Sequence, residues 1–231
     1  MNDFLSDSSY FGLIISILAY AAGLFIKEKC RLRFLNPLVV AAILIISFLL
    51  LTGTSYEVYH ASAKYLSWLL TPATVCLALP LYREIELLKN NKRVILISLL
   101  VGVFTSIGCV FLMAWLFDLS QAETATLLPK SITTAIGMGI AEELGGFPAI
   151  AAAVIILTGV VGNVSAKYIL RLFKITEPLA KGLGIGAASH AIGTSRAMEM
   201  GSQEGAASSL AIVVSGLLTI LILSVYAAVL S

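Results

Sequence analysis

A chain of 231 residues that is 59% hydrophobic and only 12% charged, with a mean hydropathy of +0.98, is not an ordinary soluble domain, where about a quarter of residues are charged. The net charge of +2 carries no nucleic-acid signature and ends in no basic tail. Cys30, Cys76 and Cys109 have neither disulfide nor metal-ligand spacing, and Cys76 and Cys109, inside apolar runs, read as small core residues.

About 20 residues cross a bilayer as a helix, and six uncharged runs meet or approach that length: Ser8–Ile26, Phe34–Tyr56, Tyr65–Tyr82, Val94–Phe117, Leu144–Ala166 and Gly205–Ser231. The segment before the first run has no basic residue, so that run reads as an uncleaved span rather than a signal peptide. The third run carries Pro72 and Pro80 and is expected to kink or unwind. His60 falls in a predicted loop and reads as having no specific role.

Two polar inserts interrupt this frame. Pro129–Gly146 holds Pro129, Lys130, Glu142, Glu143 and four glycines, and Ser189–Gly205 holds His190, Arg196, Glu199 and Glu204. Helix breakers and charges at membrane depth persist only where protein or a water-filled cavity receives them. The basic groups Lys27, Lys29, Arg31, Arg33 and Arg83, Lys89, Lys92, Arg93 place the first and third loops in the cytoplasm. Asp3 and Asp7 then lie outside, with the N-terminus, as does the loop Asp118–Glu123. The loop holding Lys167, Arg171, Lys174 and Lys181 is also cytoplasmic only if Thr124–Gly146 enters from outside and returns there. Gly182–Glu204 then enters from the cytoplasmic side. The alternative is a discontinuous crossing helix at each insert.

A shift of 60 positions aligns Lys130 with His190, Ile132 with Ile192, Thr134 with Thr194 and Gly145 with Gly205, an inverted-repeat pattern of the kind secondary transporters use. The expected fold class is therefore all-α: a polytopic membrane protein with about six full spans plus two broken or re-entrant helical segments related as an inverted repeat. One transmembrane domain covers residues 1–231, with frame spans in 1–123, the first broken segment and its span in 124–166, and the second in 182–231.

Helix starts inside a membrane expose backbone N–H groups and a partial positive charge. Ser131, Thr133 and Thr134 in one insert, and Ser189, Gly193, Thr194 and Ser195 in the other, are candidates to cap and line such starts. With Lys130 and Arg196 they make a candidate anion site. Each cation costs about 2.5–3.5 kcal/mol at depth on insertion scales, so Glu142, Glu143 and Glu199 are candidate counter-charges. His190 is a candidate for proton coupling, and Asn163 for hydrogen bonding to either insert. Plainer readings stand beside these: Lys130 snorkelling to the outer interface, His190 as a hydrogen-bonded packing residue, and Arg196–Glu199 as a local i,i+3 pair. No metal or cofactor motif is present, and an enzyme is not expected. Lys130 and Ser131, being adjacent, would splay apart on a helix rather than form a Ser–Lys pair.

The runs Leu127–Gly137, Glu142–Gly146, Ser189–Ala197 and Thr71–Tyr82 resemble the LrgB/CidB family over essentially the whole chain. The resemblance implies a multi-pass protein of the bacterial inner (plasma) membrane, working with a small LrgA/CidA-type membrane partner and likewise expected to form a homo-oligomer. It implies a secondary transporter or exporter of small organic anions of the glycolate, glycerate and pyruvate class. The alternative it carries is an antiholin-like regulator of murein hydrolase export and autolysis.

Overall fold

The structure, a computed structural model of the chain, describes residues 10–30, 37–69, 72, 75–76 and 78–230. Asp3, Asp7, Arg31 and Arg33 of the topology argument lie outside the described residues, as do Thr71, Ala73, Thr74 and Leu77 of the 71–82 motif. Every element among the described residues is helical. They form two compact units, 1–76 and 77–231.

The first unit holds α1 (Phe11–Cys30), α2 (Pro37–Thr52) and α3 (Tyr56–Trp68). Gly12 lets α1 approach α3 closely: its N–H, one of the free donors of a helix start, donates to Ser62 Oγ at 2.8 Å. Ser16 Oγ and Tyr59 Oη share a hydrogen bond at 2.8 Å. His60 lies within α3, its ring 5.6 Å from that of Tyr56, and not in a loop.

The second unit holds α4 (Ala78–Arg83), α5 (Ile85–Asn90), α6 (Lys92–Leu116), α7 (Gln121–Leu127), α8 (Thr134–Glu143), α9 (Pro148–Leu172), α10 (Pro178–Met200) and α11 (Ser202–Leu230). Helix α6 shows why such segments belong in lipid. Ile95, Leu99, Val103, Ile107 and Val110 repeat at helical spacing and are buried. The opposite face is equally apolar, with Val94, Ile97, Val101, Phe104 and Leu112 exposed. A helix with apolar residues on both its buried and its exposed faces is not the amphipathic surface helix of a soluble domain.

Four helices among the described residues are long and apolar enough to span: Phe11–Lys29, Lys92–Leu116, Pro148–Leu172 and Ser202–Ala228. They match the first, fourth, fifth and sixth runs. The second run gives the 16-residue α2, about 24 Å at 1.5 Å per residue and short of a 30 Å core. The third run is not one helix, since α3 ends at Trp68 with a turn at Leu69; most of residues 70–77, where Pro72 is expected to kink or unwind it, lie outside the described residues.

Both polar inserts fold back on themselves. In the first, α6 ends with Asp118 in the left-handed region (φ 50°), and Ser120 caps α7 through a reciprocal capping box with Glu123. These bonds from Ser120 hold the Glu123 carboxyl below the usual carboxylate range. The chain turns through Leu128–Thr133 and returns along α8. Gly145 (φ 78°) ends α8, with Gly146 N–H donating to Ala141 O at 2.7 Å and Gly145 N–H to Glu142 O at 3.0 Å. This left-handed closure needs glycine. It brings the chain back beside its start, where Phe147 N–H donates to Thr126 Oγ1 at 2.8 Å.

The second insert begins four residues before the expected Gly182, running from Pro178 to Met200, and breaks at His190 (φ 40°, ψ −138°). Contacts with α11 show that the two legs run in opposite directions. On the outgoing leg Lys181 Nζ lies 3.6 Å from Glu204 Oε1, and a Cβ at Gly186 would press on Ser208 and Ala211. On the returning leg Thr194 Oγ1 meets Ser208 Oγ at 2.7 Å, and Gly201 is back beside Glu204. The α10 segment is therefore a helical hairpin with His190 at its tip.

Candidate functional site

The two tips share one cavity of about 810 Å³. Lys130 and Ser131 reach it from the first hairpin, and Ala188 and Ser189 from the second. Its walls are α6, through Ser98, Gly102, Thr105, Ser106 and Cys109, and α9, through Thr158, Gly162 and Ser165. A Cβ added at Gly102 would meet only Ala187 Cβ, at an unstrained 3.8 Å, so α6 does not collapse onto α10 there. Leu157, Val161 and Leu183 supply apolar surface.

Lys130 Nζ donates to Ser106 Oγ at 3.0 Å and to Ser131 Oγ at 3.1 Å, and the two hydroxyls lie 3.0 Å apart. Ser106 is fourteen residues from Lys92 and ten from Leu116, so the half-buried ammonium sits near the middle of α6 and not at its rim. Among the described residues no carboxylate pairs with it. An ammonium drawn out of water needs hydrogen bonds and a counter-charge, and here hydroxyls supply only the first.

Lys130 and Ser131 do not splay apart. They lie in a turn and not on a helix, so helical spacing does not separate their side chains and the lysine folds back onto its neighbour's hydroxyl.

The second tip is held by α9. His190 Nε2 meets Ile155 O at 2.9 Å. The side-chain amide of Asn163 donates to Ile192 O at 2.7 Å and to Ser195 Oγ at 3.1 Å. Gly159 and Gly162 leave the room: a Cβ at Gly159 would lie 2.8 Å from His190 Cε1, and one at Gly162 would overlap Ser189. His190 is buried and acts as a hydrogen-bonded hinge. Asn163 does reach a polar insert, from outside the cavity.

Several candidates take other places. Thr133 is the N-cap residue of α8, but its side chain makes no capping bond. Thr194 Oγ1 donates back to His190 O at 2.9 Å, and Ser195 Oγ to Ile192 O at 2.8 Å. These threonine and serine hydroxyls bond backwards along their own helix, so they cap no helix start. Gly193 packs against Ser189 and Ile185 inside the hairpin, and Thr134 opens α8 without lining the cavity. Glu142 and Glu143 are exposed at the far end of α8, so neither is a counter-charge for Lys130. Arg196 is also separated from Lys130. It lies six residues down the returning leg, pairs with Glu199, and lines a different pocket with Lys167, Arg171 and Lys181.

Two residues run against the composition argument. Cys109 lines the cavity, and both Cys76 and Cys109 are exposed rather than in the core. Sequence reasoning also missed the α6 wall. Its signal is the helical recurrence of small and hydroxylated residues at positions 98, 102, 105, 106 and 109 inside an otherwise apolar run.

Matches to known proteins span the same chain. The LrgB-like family matches residues 16–229. The chain is 36% identical over 218 residues to the antiholin-like protein LrgB of Bacillus cereus (strain B4264), covering 94% of this chain and 95% of that one. The same figures hold for the protein of that name from Bacillus anthracis (strain CDC 684 / NRRL 3495). No solved structure matches.

Proposed function

The chain belongs to the LrgB-like family, and on that premise we propose that it is a secondary transporter or exporter of small carboxylates. The observation that carries this reading is Lys130: a cation without a carboxylate partner among the described residues, held by two hydroxyls on a cavity large enough for a short organic acid. One ammonium and neighbouring hydroxyls match a monoanion that itself carries an oxygen beside its carboxylate. Glycolate, glycerate and pyruvate are of that class. The carboxylate would supply the charge the protein withholds, and the Ser106 and Ser131 hydroxyls would turn to its oxygens.

The architecture fits this role. Opposite-running hairpins whose tips meet beside the centres of α6 and α9 place irregular backbone where it lines a cavity. In this reading the hairpins are re-entrant from opposite faces, and α7 through α9 and α10 with α11 are the two halves of an inverted repeat. The basic end of α9 faces the cytoplasm and the N-terminus lies outside a bacterial inner membrane. A small LrgA/CidA-type partner and a homo-oligomeric assembly complete the proposal.

The test is uptake of labelled glycolate, glycerate and pyruvate by proteoliposomes, with and without the partner chain. Flux of at least one acid above protein-free vesicles is expected. Its absence for all three, in both preparations, refutes transport.

A second reading is favoured by the name the relatives carry, antiholin-like protein. In it the chain modulates murein hydrolase export and autolysis through protein contacts. It predicts that Lys130→Met leaves an autolysis phenotype intact.

A further inference from the structure

A second pocket, of about 410 Å³, lies at the basic end of the α9–α10–α11 assembly. It is built from the last turns of α9, the two ends of the α10 hairpin and the first turn of α11. Lys167, Arg171, Lys181 and Arg196 line it, against Glu199 and Glu204, so four cations face two carboxylates. Those carboxylates are engaged: Glu199 by Arg196 and Glu204 by Lys181. Among the described residues no carboxylate pairs with Lys167 or Arg171.

Arg196 gives the sharper observation. Its Nε is buried and has no hydrogen-bond partner among the described residues, although its terminal nitrogen reaches Glu199. A buried charged donor left unmatched is costly, and an acceptor inside the pocket removes that cost. The helix ends at this level include starts (α10, α11) and finishes (α9, the returning leg of α10), so their dipoles oppose one another and side-chain charge decides the sign. With Glu204 engaged by Lys181 and Glu199 by Arg196, a net two positive charges remain on Lys167 and Arg171, beside the unmatched Nε of Arg196. They suit a tetrahedral anion that accepts from several directions.

We propose that this pocket binds a phosphate group, carried either by the headgroup of an anionic lipid or by a soluble phosphate. The bound phosphate would tie both ends of the α10 hairpin to α9. The site is separate from the carboxylate cavity and stands or falls without it. Basic pockets between helices at a cytoplasmic face are where lipid headgroups are commonly held.

The test uses the full chain in two arms. In one, detergent-solubilised protein is titrated with inorganic phosphate against chloride at matched ionic strength, and the melting temperature is followed. In the other, nanodiscs of phosphatidylcholine are compared with nanodiscs containing phosphatidylglycerol, and retained lipid is read by native mass spectrometry. Wild type should show a phosphate-dependent rise in melting temperature, retained phosphatidylglycerol, or both. Arg196→Gln and the more exposed Arg171→Gln should each weaken that signal at least tenfold. Phosphate response alone identifies a soluble ligand, and lipid retention alone a headgroup. No response in either arm, or a response equal in Arg171→Gln and wild type, overturns the proposal.

Discussion

Lys130 Nζ lies 3.0 Å from Ser106 Oγ, a contact between the tip of one folded-back insert and the midpoint of a membrane-length helix. It fixes the depth of the one cation that lines the main cavity among the described residues. In the proposed function the hydroxyls beside it would turn to a bound anion, since a hydroxyl can reverse its role as donor or acceptor.

That reversal predicts graded losses. Ser106→Ala or Ser131→Ala removes one hydroxyl hydrogen bond to a charged group, worth about 1.5–3 kcal/mol. Apparent affinity for the transported acid should fall roughly 10- to 150-fold in either variant, by the same free-energy scale, with transport retained. If the Ser–Lys contact were a hydrolytic pair, either serine acting as nucleophile would be indispensable and would react with a fluorophosphonate. No such labelling is expected.

His190 stands at the tip with φ 40° and ψ −138°, a backbone state that costs about 1–3 kcal/mol for a residue with a Cβ. His190→Gly relieves that strain while losing the bond to Ile155 O, and His190→Ala loses the bond and keeps the strain. The glycine variant should therefore melt at the higher temperature of the two. Equal melting temperatures would mean that the tip relaxes once the imidazole is gone.

The hairpins make a topological prediction. Lys167→Cys near the end of α9 and Ser120→Cys before α7 should label from opposite sides of the membrane with an impermeant maleimide, Ser120→Cys from outside. Both positions labelling from the same side would require a complete crossing within the first insert and would remove the opposed arrangement.

Much of this site is legible in the chain because charge and glycine are expensive inside apolar sequence. Lys130, Ser131 and Ser189 stand out on that ground, and all three line the cavity. Ser106 does not, because hydroxyls in an apolar run can satisfy themselves on their own helix backbone. The sequence groups Arg196 with Lys130 because each is a cation beside the candidate helix start of a polar insert. The reversal at His190 carries it down the returning leg, about 9 Å from the tip at 1.5 Å per residue, into the basic pocket. A single residue with positive φ separates those two outcomes, and no composition or spacing rule marks a histidine for it. The short α2 is hidden for a related reason: hydropathy measures how apolar a run is, not where its helix stops.

The most direct test of the account is uptake of labelled glycolate, glycerate and pyruvate into proteoliposomes carrying wild type, Lys130→Met or Lys130→Arg. A charge-assisted hydrogen bond is worth about 1.5–3 kcal/mol, so the methionine variant should lose roughly 10- to 150-fold in apparent affinity, with the arginine variant retaining more. Uptake by Lys130→Met indistinguishable from wild type would contradict the claim that this lysine receives the carboxylate.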